Sequence, residues 1–112
     1  MREEHAYLFD MLDAAELVLG YIEGLTFEDF SDQTMVQDAV LYRLGVIGEA
    51  AGNISEPTRQ KLPELPWRKM VGMRNMLMHE YFNVDLNVAW DTASRRMNEL
   101  IAALEKLLPQ RD

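Results

Sequence analysis

Apolar residues return every three or four positions through four long stretches of this chain, and no stretch alternates apolar with polar. That period belongs to helices, so the pattern builds helices packed on one another and offers nothing for a sheet. A first helix over about residues 3–22 sets Leu8, Met11, Leu12, Ala15, Leu19 and Ile22 on one face, with Asp10, Asp13, Glu16 and Glu23 toward water. Thr26 to Phe30 reads as a turn whose two aromatics plug the bundle, and Ser31 or Asp32 caps a second helix over about 33–52. Its stripe is Val36, Val40, Leu44, Ile47, Ala51 and Ile54. Ser55-Glu56-Pro57 then reads as a cap with proline in the first turn, opening a short helix that stops at Leu62-Pro63. A third helix runs from Pro66 or Trp67 to His79, and a last one, capped by Asp85, from Leu86 to Leu108. The expected fold is all-α: an up-and-down antiparallel four-helix bundle with an extra short helix.

A chain of 112 residues has room for one domain, over 1–112. Composition that is 48% hydrophobic and 27% charged, with no apolar run long enough for a signal core or a membrane span, is expected of a cytoplasmic protein. Cysteine is absent and the two histidines, His5 and His79, lie far apart. Disulfides, thiolate nucleophiles and cysteine zinc sites are thereby excluded, and no metal or other cofactor is expected. Catalysis would fall to His, carboxylate, Tyr, Lys or Arg.

A net charge of -8 argues at first sight against a nucleic-acid partner. The average conceals a polarity. Residues 1–56 carry twelve acids against Arg2 and Arg43, whereas residues 57–112 carry nine bases against seven acids. Five bases (Arg59, Lys61, Arg68, Lys69, Arg74) and the single acid Glu64 fill the run that leads into His79. It reads either as a solvated basic stretch or as an anion-facing one.

Gly45, Gly48 and Gly52 on the second helix leave a bare groove where another helix backbone can approach, and packing is the simplest reason for it. On the third helix the apolar stripe is Trp67, Met70, Val71, Leu77, Met78 and Tyr81, and Arg74 stands where a leucine belongs. A buried charge must be paired, reach water or face an anion. Glu49, the acid beside Gly48 on the glycine-rich helix, is the structural candidate for its partner. His79 follows five residues later, about 140° around an ideal helix and about 7.5 Å along it, so one chain does not stack the two groups. Asn75 shares the face of His79 and can orient its ring. Tyr81 reads as a satisfied half-buried phenol or as an exposed ligand or modification acceptor. Met70, Met73, Met76 and Met78 make this helix apolar on more than one side, which suggests a subunit interface. A two-fold pairing of this helix would bring two Arg74 and two His79 into one cleft.

Arg74-x4-His79-x-Tyr81, with Leu44 to Ala50, the Pro66-Trp67-Arg68 lead into the helix and Tyr81 to Asp85 followed by Trp90, resembles the HepT toxins of two-gene HEPN/nucleotidyltransferase toxin–antitoxin modules. The likeness covers nearly the whole chain. It implies a HEPN helical bundle and a homodimeric, metal-independent endoribonuclease acting on RNA such as tRNA or mRNA. By position, His79 would be the general acid and base, Arg74 would hold the scissile phosphate, and Asn75 would orient. Arg68 and Lys69 would meet the RNA. Tyr81 resembles the tyrosine that a cognate nucleotidyltransferase antitoxin modifies with AMP, which would place phosphates beside the Arg/His cleft and repel RNA. The alternative is a non-catalytic HEPN module that binds a nucleotide or its nucleotidyltransferase partner.

Overall fold

A computed structural model describes residues 2–109, and among them every regular element is helical. The chain runs through α1 (Glu4–Ile22), α2 (Phe27–Asp32), α3 (Thr34–Ala51), α4 (Glu56–Lys61) and α5 (Trp67–His79). A 3-10 turn (Tyr81–Asn83), α6 (Leu86–Asp91), a π-helical turn (Thr92–Arg96) and α7 (Met97–Leu107) follow. The expected stripes form the core: Leu8, Met11 and Val18 of α1, Val40, Leu44 and Ile47 of α3, and Ala93, Leu100 and Leu104 of the last rod are buried. Each fully buried Val, Leu, Ile or Met side chain contributes about 1.5–3 kcal/mol of transfer free energy. No helix among the described residues is long and apolar enough to cross a membrane.

Two segments differ from the sequence reading. Thr26 to Phe30 is not a free turn, because Thr26 Oγ1 accepts from Asp29 N–H while Asp29 accepts from Thr26 N–H. This reciprocal capping box starts α2, in which Ser31 bonds back to Phe27 O rather than capping α3. Gln37 Nε2 instead donates to the carbonyls of Phe30 and Ser31 and closes the α2–α3 corner. Phe30 is nonetheless the plug expected, fully buried with its ring 5.3 Å from that of Trp90. The last helix runs unbroken from Leu86 to Leu107 as expected, but it is not α throughout. The hydroxyls of Thr92 and Ser94 bond to the carbonyls of Val88 and Trp90, competing with the backbone ladder where it widens into the π turn.

Packing order decides where a site can lie. α3 is flanked by α1 on one side and α5 on the other, and α7 covers α1. α5 is therefore an outer rod, with Trp67 its only buried residue. Its start is held by Trp67, whose Nε1 donates to Leu62 O and whose ring lies under the Arg59 guanidinium, itself donating to Ala51 O at the end of α3. Its middle is held by contact with Gly48. A Cβ at Gly48 would come 2.5 Å from both Arg74 Cβ and the carbonyl oxygen of Met70. The glycine groove thus serves the close approach that the sequence suggests, and Gly48 is where it is tightest. Gly45 and Gly52 leave ordinary contact distances of 3.5 Å.

Gly48→Ala is expected to destabilise the protein by about 1–3 kcal/mol, since a backbone oxygen cannot swing aside and α5 must move outward. Alanine's helix propensity offsets about 1 kcal/mol of that at most. Gly45→Ala, with only the Leu77 side chain nearby, is expected to be neutral or stabilising. Paired urea denaturation curves would separate the two, and equal midpoints would refute the close-contact argument.

Candidate active site

Beside this contact α3, α5 and the N-terminal part of α1 border an open cavity of about 620 Å³. Its floor is apolar (Leu41, Gly45, Val46, Ala50) and α5 gives it Arg74, Leu77 and Met78, with Tyr81 just beyond. Arg74 stands in the apolar stripe because this cavity, not the core, lies in front of it. Its Nε lies 2.8 Å from Glu49 Oε1 in an ion pair, and its Nη1 donates to Asn75 Oδ1 at 3.2 Å. Nη2 has no partner among the described residues, and the side chain keeps a third of its surface exposed. The guanidinium is thus oriented by two neighbours while retaining donors for an anion.

Asn75 spends its carbonyl oxygen on Arg74 rather than on His79, as the shared face had suggested. The pairing with Glu49 is the one the sequence offered, and the exposure of both partners keeps its contribution to stability small. His79 occupies the last turn of α5, is exposed, and does not line the Arg74 cavity. One chain therefore separates the two groups, as the helical angle requires.

Beyond α5 the turn carrying Tyr81 is tied back to α3. Tyr81 Oη donates to Asp38 Oδ1 at 2.5 Å, a partner that nothing in the sequence singled out. Burial, with the hydrogen bond to and charge of Asp38, pushes the phenol up to about 12. The raised value means that Tyr81 stabilises the fold fully below about pH 10, its unfolded value, and loses that contribution as pH rises through the folded one. An absorbance titration against Tyr81→Phe is expected to show one phenol titrating near 12, and Asp38→Asn should lower it. If the phenol missing from Tyr81→Phe is instead one that titrates at 10, the Asp38 tie is removed.

The basic run is dispersed rather than gathered at this cavity. Arg59 is taken up at the α3–α4 corner, and Lys69 lines a second groove of about 580 Å³ between α5 and the last rod. Arg68 is exposed on the side of α5 turned away from α3. Exposed apolar groups collect instead around the end of α5: Met78 is 61% exposed, contrary to its place in the expected stripe, and Phe82 98%. Tyr42, on the cavity's other bank, is also exposed.

The family model described as HepT-like, Ribonuclease HepT-like, matches residues 11–107. A Thermococcus cleftensis protein named "Probable ribonuclease HepT" is 40% identical over 108 residues, 96% of this chain and 98% of its own. A protein of Methanocaldococcus jannaschii named as a candidate RNase is 37% identical over 89 residues, covering 80% of this chain and 82% of its own. One from Caldanaerobacter subterraneus, named likewise, is 32% identical over 108 residues, 96% of each chain. No solved structure matches this chain.

Proposed function

Since the chain belongs to the HepT-like ribonuclease family, and by that membership is an endoribonuclease, we propose that it cleaves RNA without a metal, with Arg74 and His79 as its chemical groups. The observation that carries the assignment of groups is the Arg74 guanidinium, oriented by Glu49 and Asn75 yet open to a cavity. The ribose 2'-oxygen attacks the adjacent phosphorus, the bond from phosphorus to the 5'-oxygen breaks, and a 2',3'-cyclic phosphate and a 5'-OH result. One proton leaves the 2'-OH and one reaches the 5'-oxygen. An imidazole can do either, and the guanidinium stabilises the charge that builds on the phosphoryl oxygens.

Two proton transfers are served best by two histidines, which a homodimer supplies. Met78 and Tyr42, exposed at the cavity, and Phe82, exposed on the turn after α5, form the apolar flank on which a second copy is seated. We place the protein as a single HEPN domain over 1–112, acting in the cytoplasm as the toxin of a toxin–antitoxin pair. A nucleotidyltransferase antitoxin would neutralise it by adding AMP to Tyr81. Modification would remove the proton that Tyr81 gives to Asp38 and set phosphate against that carboxylate, so the turn following His79 would be displaced as well as charged. The products test the chemistry: end-labelled tRNA or mRNA fragments should carry 2',3'-cyclic phosphate, and a single 2'-deoxy substitution at the cut site should abolish cleavage there. Fragments ending in 3'-OH would contradict it.

A further inference from the structure

Helix α5 contains a glycine that its own chain does not explain. Gly48 is required by a contact at 2.5 Å, but a Cβ built at Gly72 would meet nothing within 4 Å. Gly72 is exposed in the middle of a 13-residue helix, where alanine is the better helix former. Its position on the helix is informative. Arg68, Gly72, Asn75 and His79 follow one another at i, i+4, i+7 and i+11, one line along a helix face, and all four are exposed. To one side Arg74 and Met78 turn into the first cavity, and to the other Lys69, Met70 and Met73 line the second groove. The line between them faces away from α3. It begins with a cation, ends with an imidazole and holds no carboxylate, in a chain whose net charge is -8.

We propose that this face is the track of the RNA strand and that Gly72 is where the strand crosses α5. The missing side chain lets the sugar-phosphate backbone lie directly against the helix backbone, the use of glycine at close approaches to a ligand. Arg68 then holds a flanking phosphate, His79 meets the strand about 16.5 Å along the axis, and Asn75, bonded to Arg74, is where the track comes nearest the guanidinium that holds the scissile phosphate. A phosphodiester fits this face because Arg68, Asn75 and His79 give it cationic and polar groups with no carboxylate, while Met76, 41% exposed one turn from Gly72, offers an apolar contact for a base or sugar. The inference rests on the ribonuclease reading and adds to it a binding residue of no chemical reactivity.

The test compares Gly72→Ala and Gly72→Leu with Gly20→Ala, the α1 glycine whose Cβ also has nothing within 4 Å. Both alanine variants should raise Tm by a few degrees. Gly72→Ala should raise KM for a labelled RNA, and Kd for its uncleavable 2'-O-methyl analogue, about tenfold, with kcat little changed; Gly72→Leu should raise them further, and Gly20→Ala should alter neither. A tenfold change corresponds to about 1.4 kcal/mol of binding. Wild-type KM and Kd in Gly72→Ala would overturn the proposal. So would a shift of that variant to monomer in sedimentation, which would mark the face as a protein interface. A wild type that binds the analogue but cuts no RNA would sink the ribonuclease reading and leave the Gly72 comparison readable through Kd.

Discussion

His79→Ala lowers RNA cleavage by about 10²–10⁴-fold, the range lost with a general acid or base. The fold should hardly notice. His79 is exposed at the end of an outer rod, so the stability at stake is the interaction of its cationic form with the helix terminus, about 0.3–1 kcal/mol. His79→Gln keeps a hydrogen-bonding side chain of similar reach but cannot pass a proton, and it should be as inactive as alanine. An active glutamine variant would reduce His79 to a binding group. Circular dichroism and Tm measured alongside the rates would separate a chemical defect from an unfolded protein.

Arg74→Ala is expected to reduce kcat by about 10²–10³-fold, the cost of removing one preorganised donor from a developing oxyanion. Its effect on stability should stay below about 1 kcal/mol, since the ion pair it breaks is solvent-exposed on both sides. Arg74→Lys should not restore activity. A lysine is a single point of charge, and it cannot engage Glu49, Asn75 and a phosphate through separate donors of one planar fork. The comparison with Glu49→Ala is decisive about role. If Arg74 merely tied α5 to α3, losing Glu49 would cost as much activity as losing Arg74. A catalytic Arg74 predicts that Glu49→Ala costs far less, because the guanidinium keeps Asn75 as one support.

The helices and most of their ends could be read from the chain, because each depended on local chemistry. Ser55 and Asp85 cap α4 and α6 as expected, and α5 ends at His79. The glycine groove announced a close helix contact, and the odd arginine in the stripe announced the cavity in front of it. What stayed hidden depended on register between segments. Asp38 is 43 residues from Tyr81, and no pattern in the sequence says that the turn after α5 folds back onto α3 there. The capping box of Thr26 and Asp29 is a local signal, obscured by Gly24 just before it and by the aromatics Phe27 and Phe30 within the segment. The π turn could not be read at all, since the apolar spacing of Leu86 to Leu108 is the same with or without one widened turn. The even spread of the basic run followed from Arg59 turning inward onto Trp67, which charge counting cannot see.

The measurement closest to the central claim is single-turnover cleavage of end-labelled RNA in excess EDTA by the wild type, Arg74→Ala and His79→Ala, with Tyr81 confirmed unmodified by mass spectrometry and all three proteins confirmed folded. Full wild-type activity in EDTA, with loss in both variants, is the expected result. Activity that vanishes with the chelator, or that survives in either folded variant, would contradict the Arg/His mechanism.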